Sequence, residues 1–64
     1  MDAKATGGLI ARRRKEQNWS QGDLAERLHV TDKAISKWET GRGLPSVDLL
    51  EPLAEALDLT VSEL

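Results

Sequence analysis

Apolar residues recur along this chain at intervals of three and four, not two. Between positions 47 and 57 they fall at Val47, Leu50, Leu53, Ala54 and Leu57, which is one stripe of a helix. Ile10, Leu24, Leu28, Val30, Ile35 and Trp38 complete the expected interior. No stretch alternates polar and apolar residues as a half-buried strand does. Helix starts are marked by N-cap residues and by the hydrophobic staple, which pairs the residue before the cap with the fourth after it. Ser20 fits, with Trp19 and Leu24 as its staple, and so does Thr31 with Val30 and Ile35. Thr60 fits with Leu59 and Leu64, and Glu63 completes a capping box. Thr6 and Ser46 are the remaining caps. The pattern predicts helices near 7–17, 21–28, 32–40, 47–57 and from 61, hence an all-α fold, a compact bundle of about five short helices. Pro52 falls inside the fourth, where it removes a backbone hydrogen bond and should kink the helix or tighten its first half.

Only His29, Val30 and Thr31 separate the second helix from the third. So short a connection forces the two axes to cross sharply, the geometry of a helix-turn-helix, with residues 20–40 as its core. Such a crossing needs a small residue where the helices touch, and Ala25 supplies it. It also needs a left-handed residue at the helix end, usually Gly. That position falls on His29, and histidine tolerates positive φ better than most residues. The third helix carries two stripes. Ile35, Trp38 and Glu39 lie on one side, and Asp32, Lys33, Ser36, Lys37 and Thr40 on the other, at i, i+1, i+4, i+5 and i+8.

Composition narrows the possibilities. A chain of 64 residues is one domain at most. It buries only about 60% of its unfolded surface, so its core is small. With no cysteine it has neither disulfides nor thiolate ligands, and a reducing compartment is expected. No apolar run approaches the roughly 20 residues of a membrane span, and the start lacks the apolar stretch of a signal peptide. A cytoplasmic protein without a membrane partner is expected. Net charge is −2, but its distribution is uneven. Residues 1–43 hold all nine Lys and Arg against six Asp and Glu, a balance of +3; residues 44–64 hold five acids and no base. This asymmetry suggests one face for an anionic partner and another turned away from it. One histidine, no cysteine and no glycine-rich phosphate loop leave no catalytic constellation, no metal site and no cofactor site.

The stretch "SQGDLAERLHVTDKAISKWETGRGLPSVDLLEPLAEAL" resembles the phage-repressor-like (Cro/repressor, or XRE) helix-turn-helix family of bacterial and phage transcription regulators. The resemblance runs from about Ile10 to Leu64 and is carried by the Ser-Gln opening of the second helix, its Leu-Ala pair, "ISKWE", Gly41 and Pro45. Departures are His29 and Asp58, where the family often has Gly, and Gly22, where it often has Glu. The resemblance implies a sequence-specific regulator of transcription, a repressor, that lays helix 32–40 in the major groove of double-stranded DNA.

Asp32, Lys33 and Lys37 project farthest from that helix, and family members place base-contacting side chains at the matching positions. Lysine donates to guanine O6 or N7, and aspartate accepts from cytosine N4. Asp32 also sits in the first turn, where a carboxylate suits the helix dipole equally well. The resemblance implies that Gln21, at the N-terminus of the second helix, contacts a backbone phosphate. Ser36, Thr40 and Arg42 are expected on phosphates of the opposite strand. In the run 12–15, four successive residues point all round a helix. Arg14 alone shares the face of Ile10, and Arg12, Arg13 and Lys15 read as solvated. The resemblance pairs Arg14 with Glu39 as an ion pair tying the first helix to the third.

One recognition helix reaches few base pairs, so a two-fold pair on an inverted-repeat operator is expected, with a monomer or weak dimer in free solution. The chain stops inside its expected last helix, leaving room for a missing C-terminal effector or oligomerisation domain. The alternative reading on the same fold is an antitoxin-like or adaptor module that binds protein, with the last helix and the flank of Leu49 as its apolar surface.

Overall fold

Four α-helices and one 3-10 turn follow one another in the computed structural model, which describes residues 1–64: α1 (Ala3–Glu16), α2 (Gln21–Leu28), α3 (Asp32–Glu39), α4 (Val47–Ala56) and the turn Val61–Glu63. The fold is all-α, and the expected fifth helix is reduced to that single turn. α1 packs against α3, α3 against α2, and α2 against α4, which carries the closing turn. Ile10, Leu24, Ile35, Leu53 and Leu57 are fully enclosed, and Ala25, Leu28 and Trp38 are nearly so. Each large apolar side chain buried this way contributes about 1.5–3 kcal/mol.

Local signals set most helix ends. Ser20 and Asp23 form a reciprocal capping box: the Asp23 N–H donates to Ser20 Oγ at 3.0 Å and the Ser20 N–H to Asp23 Oδ2 at 2.9 Å. Thr31 Oγ1 accepts from the Ala34 N–H at 3.2 Å. His29 adopts φ 58°, so the Val30 N–H reaches back to the Ala25 carbonyl at 3.0 Å and satisfies the end of α2. Asn18 (φ 62°) and Asp58 (φ 57°) close α1 and α4 in the same conformation. α4 runs through Pro52 without a break, the proline lying exposed on its outer face. Arg27 stacks over the half-buried Trp19 ring, 4.1 Å from its centroid, and steadies the entry to α2.

Four expectations need correction. Thr6 is not an N-cap: α1 starts at Ala3, and Asp2 Oδ1 accepts from the Lys4 N–H at 3.0 Å. Thr6 lies buried in the second turn, where its hydroxyl donates to the Leu64 carbonyl at 2.6 Å and ties down the end of the chain. Ser46 precedes α4 but its side chain makes no capping bond. Val47 is 84% exposed, because the inner face of α4 is set by Leu53, Ala54 and Leu57 and the first turn projects beyond the core. Arg13 is not simply solvated: its guanidinium donates to the Leu57 carbonyl at 3.1 and 3.0 Å and to the Asp58 carbonyl at 3.2 Å. A side chain of α1 thus serves the orphan carbonyls at the end of α4.

Candidate nucleic-acid interface

α3 is held from behind. Ile35 and Trp38 are buried, and Glu39 turns inward to Arg14. Arg14 Nε donates to Glu39 Oε2 at 2.7 Å and its Nη2 to Oε1 at 3.1 Å, the two-pronged geometry that arginine makes with a carboxylate. Arg14 Nη1 also donates to the Trp19 carbonyl at 2.6 Å. The two side chains are 10% and 7% exposed, so the pair is largely removed from water. Gln21 Nε2 donates to Glu39 Oε1 at 3.0 Å, leaving one amide hydrogen for another partner. Gln21, at the start of α2, is therefore locked to the end of α3 through Glu39.

Burial pushes the Glu39 carboxyl up, but hydrogen bonds from Arg14 and Gln21, with the charges of Arg14 and Lys15, outweigh it and hold the group below its ordinary 4.5. Donating to Glu39 raises Arg14 in turn. A carboxyl depressed in the folded chain stabilises it above the ordinary value, and that contribution is lost as pH falls through the lowered one. Thermal stability is thus expected to hold from neutral pH to about 4.5 and to decline below it. Glu39→Gln should be less stable at neutral pH but flatter in acid, as melting curves at pH 7, 5, 4 and 3 would show. An unchanged acid slope in that variant would rule out Glu39 as a contributor.

The outward stripe is arranged differently. Asp32, Lys33, Lys37 and Thr40 are exposed, and Ser36 is half-buried. Past α3 the chain turns at Gly41, whose φ of 74° suits a residue without Cβ, and the Arg42 N–H returns to the Lys37 carbonyl at 3.0 Å. This brings Arg42 back over the stripe. Lys33, Ser36, Lys37 and Arg42 together line one open depression of about 440 Å³, so three cations and a hydroxyl converge on one spot. Arg42 and Lys37 also sit at the end of α3 where the helix dipole favours positive charge. The Thr40 hydroxyl donates to the Ser36 carbonyl at 2.9 Å and accepts from Arg42 Nε at 2.9 Å. Its hydrogen is directed back to the helix in this arrangement, and its oxygen orients Arg42. Asp32 stands in the first turn of α3, outside the lining of the depression.

Residues beyond the predicted set also matter. Gly7 lies buried where α1 meets α3, and a Cβ there would strike the Trp38 carbonyl oxygen. The signal was present in the stripe Thr6, Gly7, Ile10 and Arg14, spaced for one helical face with its two smallest members at one end. The contacts of Arg13 cross 44 and 45 residues of sequence and leave no local trace. A second depression, lined by Glu51, Ala54, Glu55, Asp58, Leu59 and Val61, collects three of the acids of the C-terminal third, away from the basic stripe. No helix is long and apolar enough to cross a membrane.

Residues 10–64 match the helix-turn-helix family. The 26 kDa repressor protein of Escherichia phage HK022 is 52% identical over 44 residues, covering 69% of this chain and 19% of that protein. The ImmF control region 10 kDa protein of Bacillus phage phi105 is 34% identical over 64 residues, covering 100% of this chain and 71% of that protein. Among solved structures, the restriction-modification controller protein C.AhdI from Aeromonas hydrophila superposes with a TM-score of 0.85 at 26% identity, covering 97% of this chain and 90% of that one. The chain spans half or less of the length of several curated relatives that it matches. Sequence match, helical architecture and the short connection of α2 to α3 through left-handed His29 agree: this chain belongs to the Cro/repressor-type helix-turn-helix family.

Proposed function

We propose that residues 1–64 are a DNA-binding domain that regulates transcription as a cytoplasmic repressor, with α3 in the major groove of an operator. The convergence of Lys33, Ser36, Lys37 and Arg42 on the outward face of α3 carries this reading, because a single depression with three cations suits a polyanion. Lys33 and Lys37 read guanine edges and Asp32 accepts from cytosine, while Ser36 and Arg42 hold phosphates. Gln21 contributes its free amide hydrogen to a phosphate at the N-terminus of α2, and Thr40 acts through Arg42. Arg14 and Glu39 hold α3 at its angle from inside.

The reading head is small. Three base-reading side chains, each worth about 1–3 kcal/mol, supply together about 3–9 kcal/mol and would struggle to reach the upper part of the roughly 10³–10⁷-fold discrimination (about 4–10 kcal/mol) of specific regulators. Two copies on successive major grooves, about 34 Å apart, close that gap. The operator is therefore an inverted repeat bound by a two-fold pair that is weak or absent in free solution.

Selection from random duplex oligonucleotides tests the reading. The expected product is an inverted repeat whose half-sites lie about 10–10.5 base pairs apart. Lys37→Ala should weaken the selected site by about 1–3 kcal/mol and relax preference at one base position. Arg42→Ala should weaken all duplexes alike and reduce the salt slope by about one unit. A short asymmetric motif bound by one protein per duplex would refute the pairing, and no enrichment at low salt would refute DNA reading.

A further inference from the structure

Gly43 is a glycine without a backbone reason. Gly41 is the glycine with positive φ in this loop, and position 43 adopts a conformation open to other residues. What distinguishes it is its neighbour. A Cβ added at 43 would stand 2.6 Å from Lys37 Cε, 3.4 Å from Cδ and 3.4 Å from Nζ. All three nearest atoms belong to the far end of one flexible side chain, and none to the backbone. A side chain at this position would leave the fold alone and dislodge Lys37.

We infer that Gly43 is a specificity-determining residue that acts through Lys37, its bare backbone forming the seat on which the lysine stem rests. The inference builds on the proposed base-reading role of Lys37. A lysine on an exposed helix face ordinarily samples many rotamers, and ordering it on binding costs entropy. Here the stem lies against Gly43 while Lys37 lines the depression with Lys33, Ser36 and Arg42. The return of the Arg42 N–H to the Lys37 carbonyl fixes the seat relative to the helix, so stem and seat move as one piece. The loop 41–43 thus presents Arg42 from its side chain and Lys37 from its surface. Gly43 touches no base; it is a positioning residue.

The test compares the parent chain with Gly43→Ala, Lys37→Ala and the double variant. In the free parent, nuclear Overhauser contacts are expected between the Lys37 ε-methylene and the Gly43 α-protons. Gly43→Ala should keep the parent's circular dichroism and its amide shifts away from positions 37 and 43. Its affinity for the selected duplex should fall about tenfold, with preference relaxed at the same base position that Lys37→Ala relaxes. Binding to random duplex should not change, and adding Gly43→Ala to Lys37→Ala should have no further effect, a dependence that a merely structural glycine would not produce. If Lys37→Ala relaxes the motif but Gly43→Ala does not, the seat is refuted and the reading role of Lys37 stands. If Lys37→Ala leaves the motif intact, the reading role fails and the inference falls with it. Missing contacts in the free parent, or a full Gly43→Ala effect in the Lys37→Ala background, would each overturn the inference.

Discussion

Replacing Arg14 with methionine is expected to remove about 3–5 kcal/mol of stability, because Glu39 would be left as a largely buried charge without its cation. Folded domains have only about 5–15 kcal/mol in hand, and small ones sit at the low end. Each kilocalorie corresponds to about 4–8 °C of melting temperature at this size, so the shift should exceed ten degrees or so. Glu39→Leu should be comparably damaging but for a different reason. Arg14 would keep its bond to the Trp19 carbonyl, whereas Gln21 would lose its partner at the start of α2. The Arg14→Met/Glu39→Leu chain should lose clearly less than the sum, since neither charge then remains buried alone. Urea unfolding followed by circular dichroism measures all four corners, with a common slope needed for the comparison. Strict additivity would mean that the two charges contribute independently and that the pair does not tie α1 to α3.

Two adjacent glycines should respond to alanine with opposite signs. Gly7→Ala is expected to destabilise by about 1–3 kcal/mol or somewhat more, the range for overpacking a tight contact. The obstacle is the Trp38 carbonyl, with Glu39 backbone atoms 3.1 Å from the added carbon, and backbone cannot rotate aside as a side chain can. The Trp38 carbonyl also accepts from the Gly41 N–H at 3.1 Å, so separating α1 from α3 pulls on the turn that carries Arg42. A Gly7→Ala chain that folds should therefore also bind DNA less well. Gly8 has nothing within 4 Å of its added carbon. Gly8→Ala should gain about 0.5–1 kcal/mol, since alanine loses less backbone freedom than glycine in a helix. Melting curves of the two variants side by side decide the matter. Equal responses would show that α1 and α3 do not approach closely at Gly7.

Much of this architecture is legible within windows of four or five residues. Ser20 and Thr31 announce helices because a hydroxyl three positions before a free N–H is a local relation, and the left-handed end of α2 can be placed on His29 because only three residues separate two helices. The outward stripe of α3 is likewise legible as a stripe, because its spacing follows from the helical period alone. The same logic fails where two local readings compete. Thr6 has the chemistry of an N-cap, but Asp2 caps first, and the Thr6 hydroxyl finds its partner 58 residues away at Leu64. Val47 has the spacing of a core residue, but no element extends far enough to cover it. Arg14 shares the face of Ile10 and could be told apart from its neighbours, whereas Arg13 has the local pattern of a solvated base yet serves the carbonyls that end α4. On the candidate interface, the residue types of Lys33, Ser36, Lys37 and Arg42 are sequence information, whereas their meeting around one depression depends on the loop turning back at Gly41. The residue pattern alone was enough for four helices, the caps at Ser20 and Thr31 and the short turn between α2 and α3, because those rest on contacts a few residues long. The contacts of Arg13 with the end of α4 and the close approach at Gly7 came only with the folded chain, because they depend on surfaces brought together from distant parts of it.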